Sequence, residues 1–445
     1  MKNTRYFGAA LLSFNILSGS TAFAVELGGM LKNQNSYNYL NHQWQKQDWQ
    51  LDLEFNAPLG EGDLTVLTRA TLDIEEQLNL SGTPSSYAQL AKPRATNEHG
   101  ETNIRELYWE FHQELGNQGD SIFWKLGKQQ VVWGEADGLK LLDVVNPQSY
   151  REFILDDFDD ARIPLWMINA EIPLNDDAQI QVLWIPDTTT HDLAPPHSAF
   201  SFSSPLLVPQ AESGLALNFE SIKAPAKPIK DSDFGIRFSQ YWSGWDMTLN
   251  YLYHYVDEPI LETHLTGPNT VTITSHYARS QLIGGSASNA FGSWTLRSEI
   301  AYETNRYHRA QPLNKNSLPG VIQANQWSSV MGLDYQGLTD QFLSFQWFQT
   351  RILVPGNQLI KSKTEDTLSF LWDVKLLNET LTLSLLNLYS LDHHDGLIRP
   401  KVRYNLQSNL DLTLGFDRFY GSQEGLFGQF DQTDRLNIGF EWGIN

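Results

Sequence analysis

The sequence predicts an all-β chain, a transmembrane antiparallel β-barrel of about 18 strands with short periplasmic turns and long extracellular or lumen-folded loops. Three observations carry that reading. Segments alternating apolar and polar residues recur from one end to the other. The connections between them alternate short and long. Beyond residue 24, no apolar run approaches the roughly 18 residues that a membrane helix requires. Alternation with period two gives a strand one apolar face, and in a barrel that face meets lipid.

Taken in order, residues 1–24 read as a secretory signal, with Lys2 and Arg5 ahead of the apolar GAALLSFNIL and a small-residue cleavage site at Ala22-Phe23-Ala24. Export by the Sec pathway to a bacterial outer membrane is the expectation, with the barrel at 25–445. In DWQLDLEF (48–55), Trp49, Leu51, Leu53 and Phe55 alternate with Asp48, Gln50, Asp52 and Glu54. The same period runs through LTVLTRATL (64–72), LYWEF (107–111), IQVLWI (180–185), WDMTLNYLYHY (245–255), WTLRSEIAYE (294–303) and LSFQWF (343–348). It continues in LSFLW (368–372), LTLSLLNLY (381–389), IRPKVRY (398–404), LDLTLGF (410–416) and LNIGFEW (436–442). Weaker segments near 25–34, 121–133, 165–174, 234–242, 276–288 and 325–336 complete the set. Tight connections at 58–62, 175–177, 243–244, 289–292, 336–340 and 407–409 interleave with long ones near 75–101, 134–163, 188–232, 257–274 and 305–324. Both termini then fall at the short-turn rim. A soluble exported β-sandwich alternates in the same way; the loop-length pattern, the signal and the absence of cysteine favour the barrel.

Removing Lys2 and Arg5 from the 31 basic residues leaves 29 against 52 acidic ones, a formal charge of −23 for the exported chain. That excludes a nucleic-acid partner, which needs clustered positive charge. With no cysteine, thiolate metal sites, disulfides and cysteine-linked lipids are excluded together. Because a Lys or Arg facing the bilayer midplane costs about 2–4 kcal/mol, the charged set, including Glu54, Arg69, Glu110, Asp246, Arg297 and Glu299, must face the lumen.

The stretch Trp133–Arg162 follows no strand pattern and carries eight carboxylates against three basic residues. Its apolar runs LKLLDVV (139–145) and FIL (153–155) call for packing, so loop 134–163 is expected to fold into the lumen and narrow it. Glu135, Asp137, Asp143, Glu152, Asp156, Asp157, Asp159 and Asp160 are the candidate constriction; a solvated surface loop is the alternative. Arg399, Lys401 and Arg403 share one face of a strand at about 7 Å spacing. That basic ladder either faces the acidic loop, binds a passing anion, or is simply solvated. The proline-rich 188–232 segment reads as a lid. No catalytic motif appears, so no enzyme and no cofactor are expected. Asp392-His393-His394-Asp395 is tempting as a metal cluster, but adjacent ligands cannot all face one ion; a solvated turn is the expectation, with no metal.

At Gly127-Lys-Gln129-Gln-Val-Val-Trp133-Gly134, followed by Asn146-Pro147, the chain resembles a proteobacterial family of porin-like outer-membrane proteins catalogued as a domain of unknown function. The resemblance implies association with exporters of the resistance-nodulation-division type and transfer of a lipid or other apolar molecule; it carries no catalytic or binding residue. A more distant similarity is to alginate-export porins, whose basic lumen contrasts with the acidic surplus here. The expectation is an outer-membrane channel for a small or amphiphilic solute, surrounded by outer-membrane lipid and with periplasmic or inner-membrane transport partners. The alternative is a plugged, non-conducting scaffold or assembly factor. The solute and the oligomeric state are not encoded in any pattern found.

Overall fold

The computed structural model describes residues 25–75, 99–116, 121–194, 198–210, 214–220, 223–312 and 318–444; the signal segment 1–24 lies outside them. Eighteen strands form one closed sheet. They are β1 (Glu26–Asn38), β2 (Gln43–Leu59), β3 (Gly62–Asp73), β4 (Gly100–Glu114), β5 (Ser121–Gln129) and β6 (Leu165–Asn175). Next come β7 (Ala178–Ile185), β8 (Asp233–Trp242), β9 (Trp245–Tyr255), β10 (Arg279–Phe291), β11 (Trp294–Ala310) and β12 (Gly320–Tyr335). The last are β13 (Gln341–Leu353), β14 (Thr364–Leu376), β15 (Leu381–Ser390), β16 (Asp395–Gln407), β17 (Leu410–Tyr420) and β18 (Arg435–Ile444). Each pairs antiparallel with its sequence neighbours, and β1 closes on β18 from Gly29↔Ile444 to Asn38↔Arg435. Closure satisfies the wall's peptide groups without water and removes both sheet edges.

The alternation sorts as lipid demands. On β11 and β13, Ile300 and Phe345 are exposed on the outer face while their neighbours Glu299 and Gln346 are buried inside. Ring pairs mark two levels of the outer surface: Trp294–Tyr335 (centroids 4.3 Å apart) by the short turns, and Tyr302–Trp327 (4.9 Å) farther along the same strands. Such amphipathic rings suit the two membrane interfaces.

Three local features depart from the sequence reading. The expected strand 121–133 stops at Gln129, because Trp133 turns into the lumen, where it is 1% exposed and its Nε1 donates to Gln181 Oε1 at 2.8 Å. The 257–274 connection is not an open loop but a hairpin, Ile260–Gly267 with Thr270–His276, extended by Ala216–Phe219 in parallel. The 305–324 connection shrinks to 311–319, since β11 runs to Ala310 and β12 starts at Gly320. The strand read at 398–404 is present, and Pro400 lies inside it, within β16. Pairing with β17 lapses at Arg399 and Pro400 and resumes in register at Lys401↔Gly415, as expected where a proline brings no N–H. Arg399 crosses that lapse to Asp417 at 2.9 Å.

The sidedness is testable. Ile300→Arg places a cation on the lipid face and should cost about 2–4 kcal/mol of folding free energy in urea titrations into lipid vesicles. A loss under about 0.5 kcal/mol, the range of ordinary surface changes, would show that this face does not contact hydrocarbon.

Candidate functional site

The connection between β5 and β6 enters the bore and crosses it. At its start Val131, Trp133, Leu142 and Val145 pack on Leu165, Met167, Leu183, Ile185, Leu252, Leu282 and Ala301, inward residues of β6, β7, β9, β10 and β11. Farther along, Phe153 and Leu155 join Phe200, Phe419, Phe427, Phe430, Leu388 and Leu397 on the β15–β17 side. The segment is thus held to well-separated parts of the wall by two apolar clusters. At its tip Gly138 has φ +82° and sits so close to β14 and β15 that a Cβ would lie 3.1 Å from Leu388 and 3.3 Å from Ser369 Oγ; only glycine suits both the angle and the gap.

Polar contacts fix the rest. Asn146 joins the two ends of the crossing: its Oδ1 accepts from Val131 N (2.8 Å) and its Nδ2 donates to Ile163 O (2.9 Å). Glu299 accepts the backbone N–H groups of Glu135, Ala136 (3.0 Å) and Leu142 (3.1 Å). Asp137 is bracketed by Gln346 and pairs with Arg297 at 2.5 Å. On the other side, Asp160 pairs with Lys32 (2.7 Å) and Arg69 (2.8 Å), and Arg69 also holds Asp52 (2.8 Å). Arg105 donates to the carbonyls of Asp159, Asp160 and Arg162 at 2.6–2.8 Å. Arg435 pairs with Glu152 (2.5 Å) and Asp417 (3.0 Å), and Lys46 lies 3.9 Å from Glu152 and 3.7 Å from Asp156.

Between the crossing segment and the β16–β18 and β1–β4 wall lies a cavity of about 720 Å³, lined by nine basic and eleven acidic side chains. Of the eight predicted constriction carboxylates, Glu152, Asp156, Asp157 and Asp160 line it, whereas Glu135, Asp137, Asp143 and Asp159 do not. Asp143 is instead 5% exposed and pairs with Arg162 at 2.8 Å, which also takes Asp159 at 2.6 Å. Asp143, Glu152 and Asp160 are spent in ion pairs, because burying them bare would be far costlier, while the more exposed Asp137 and Asp159 pair with Arg297 and Arg162. Their titration follows. Burial opposes ionisation of Asp160, yet Lys32 and Arg69 outweigh it and hold the carboxyl well below its usual range. Lys46 and Arg435 likewise lower Glu152, and Lys401 with Lys32 and Arg399 lowers Asp157. Asp156 moves up, through burial and then the neighbouring Glu152 and Asp160 charges, against the pull of Lys46.

Of the basic ladder, Arg399 and Lys401 line the cavity and Arg403 lies beyond it, 3.6 Å from Glu441. The crossing segment does rest on the ladder, but through its backbone: Arg399 donates to Leu155 O at 2.7 Å. The motif residues are framework. A Cβ on Gly127 (φ +136°) would lie 2.2 Å from Leu107 O, and one on Gly134 would lie 2.8 Å from Asp143 N. Gln129 is fully buried, with Nε2 on Lys125 O at 2.9 Å, and Pro147 O accepts from Ile163 N at 2.8 Å. In the Asp392–Asp395 turn the side chains diverge. Asp392 accepts from Asp366 N, His393 faces Glu365, His394 meets Tyr389, and Asp395 accepts from Phe427 and Gly428 N–H at 2.6 and 2.9 Å. Lys46, Asp417 and Arg435, central to the wall, were missed because each sits just outside a segment recognised by alternation; extending the polar face Asp48-Gln50-Asp52 by one step would have reached Lys46.

The family model described as "Protein of unknown function (DUF1302)" matches residues 15–327. No curated protein matches this chain. Among solved structures, it is similar to OpdK of Pseudomonas aeruginosa with vanillate at 9% identity, covering 94% of this chain and 98% of that one with a TM-score of 0.51. OccAB4 of Acinetobacter baumannii is similar at 9% identity with the same coverages and a TM-score of 0.53. A BenF-like porin from Pseudomonas fluorescens Pf-5 is similar at 11% identity, again over 94% and 98%, with a TM-score of 0.52. The shared feature is the fold, a porin-like barrel.

Two outcomes follow for the docked segment. The lowered carboxyls of Glu152, Asp157 and Asp160 give docking stability that is present above their unfolded values near pH 4 and is lost as pH falls below that range; Asp156, raised, works in the opposite sense. Amide hydrogen exchange of 148–163 should accordingly stay slow from about pH 8 to 5 and quicken below about pH 4 once intrinsic rates are divided out. At neutral pH, Asp160→Asn should weaken docking by about 3–5 kcal/mol, since Lys32 and Arg69 lose a buried counter-charge, and 148–163 should then become accessible to protease.

Proposed function

This chain belongs to the DUF1302 family of proteins of unknown function, and we propose that it is an outer-membrane channel passing a small or amphiphilic solute. The observation that carries the proposal is the charged cavity of about 720 Å³ left between the docked segment and the wall inside a closed barrel. An aqueous lumen is what a barrel of this size leaves unless it is filled, and here the filling is incomplete. The outer apolar face supports placement in a membrane, and among bacterial membranes closed antiparallel barrels with short and long rims belong to the outer one.

The cavity's lining suits an amphiphile. Arg399 and Lys401 stand beside Leu371 and Leu386, inward residues of β14 and β15, so a charged head and an apolar body each find a surface. OpdK, which shares the fold, is described with vanillate; that supports the reading only by analogy of fold. Coupling to an exporter of the resistance-nodulation-division type remains part of this proposal through the sequence resemblance. A second reading, a sealed scaffold, is favoured by the fastening of the crossing segment to both sides of the bore.

Planar-bilayer recording separates the two. The intact chain should give small discrete conductance steps, and deletion of 136–160 should raise them severalfold. Silence from the intact chain, with steps appearing only after the deletion, would establish the sealed barrel.

A further inference from the structure

Among the described residues, five arginines are more than nine-tenths buried: Arg69, Arg105, Arg162, Arg309 and Arg435. Four have evident partners. Arg69, Arg162 and Arg435 meet carboxylates and Arg105 meets three carbonyls. Arg309 is different: it is 8% exposed, and its Nε and Nη1 are buried without a hydrogen-bond partner. It borders a cavity of about 10 Å³ whose other walls are mainly apolar, among them Leu217, Val271, Leu318 and Pro319. The polar side chains there direct their donors elsewhere, Thr263 to Pro319 O and Gln210 to Ser203 O.

Register fixes its direction. Arg309 stands opposite Val321 and next to the His308↔Ile322 pair. Ile322 packs with Ala324 and Ile352 on the inner side of the wall, so Arg309, one residue on, faces outward beneath the small sheet formed by 216–219, 260–267 and 270–276. It lies seven residues beyond Tyr302 of the ring pair, or roughly 20 Å along a tilted strand, which is past the hydrocarbon on the long-loop side. A guanidinium so enclosed needs an anion, and its planar fork is matched to oxyanions.

We propose that Arg309 anchors an anion site on the outer face of the long-loop rim, admitting an oxygen of a phosphate group. The available space is about that of a single water, so one oxygen enters while the remainder of the ligand stays outside. At this height the group is either a phosphate borne by the surrounding lipid headgroups or free phosphate, and the two share the same recognition.

The test uses full-length protein in detergent micelles and follows thermal unfolding as inorganic phosphate or phosphatidic acid is added at constant ionic strength. Wild type should be stabilised in a saturable way, and Arg309→Met should weaken that response at least tenfold while retaining barrel heat-modifiability on gels. Arg309→Lys, which keeps charge without the fork, should fall between them. Stabilisation by phosphatidic acid at concentrations well below those of inorganic phosphate assigns the site to lipid headgroups; equal potency assigns it to free phosphate. The proposal is overturned if Arg309→Met is as stable as wild type and neither protein responds to phosphate. It is equally overturned if wild type is unresponsive and Glu212→Gln, which removes a carboxylate two residues along the sequence from Gln210 of the cavity wall, gains the response, because the counter-charge would then be the chain's own.

Discussion

A bilayer cannot hydrate a peptide group, and that inability organises this molecule. Every N–H and C=O crossing hydrocarbon has to be paired within the wall, which a β-chain achieves only by closing on itself, as β1 does on β18. Once closed, the sheet has two faces with opposite requirements, and the period-two alternation of the sequence becomes a division between lipid and lumen. The cost of one proline shows how strict the rule is. At Pro400 the ladder lapses for two positions, and the neighbouring Arg399 side chain spans the place to Asp417.

The same closure creates the second problem, a bore too wide for wall side chains to fill. Cations placed on the inner face avoid lipid and find some counter-charge in the wall itself, Asp52 for Arg69 and Asp417 for Arg399 and Arg435, but their pairing is completed only if something enters to meet them. The β5–β6 connection does so. Its carboxylates and the wall's cations form one electrostatic unit: Asp160 between Lys32 and Arg69, Glu152 between Lys46 and Arg435. The carboxylates of that segment are thus met by individual cations of the wall, Lys32, Lys46, Arg69 and Arg435, in a cavity whose lining is at least as acidic as it is basic.

How far this was legible in the sequence follows from what alternation reports. It registers contact with lipid, so strands were readable where they face hydrocarbon and faded where they continue past it. LDLTLGF was recognised to 416 and LNIGFEW from 436, yet β17 extends to Tyr420 and β18 begins at Arg435, and the extensions contain Asp417 and Arg435. For the same reason the hairpin inside 257–274, outside the lipid zone, read as loop. The crossing segment was legible as a packed element from its apolar runs, because 139–145 and 153–155 demand burial. Its partners were not, since Glu299 and Arg435 are brought to it only by closure of the whole sheet. The pairing of these acids was not legible because local sequence shows the eight carboxylates but not the wall cations, which arrive from strands 91 to 283 residues away.

The two sides of the crossing segment are held by different forces, and this bears on how anything could pass. On the β6–β11 side the contacts are chiefly apolar, centred on Trp133 and Leu142, with Glu299 capping backbone N–H groups; salt leaves such contacts largely intact. On the β16–β4 side they are dominated by ion pairs, and that is where the cavity lies. Undocking the whole segment would leave several buried charges bare at once, a cost of several kcal/mol for each ion. In the channel proposed above, an anionic solute moving along the cavity would displace one carboxylate of the segment from its cation at a time, so that each wall cation keeps a counter-charge and only one pair is open at once. If the chain is the channel proposed above, passage by exchange of partners, with the apolar side held fixed, costs less than removal of the whole segment.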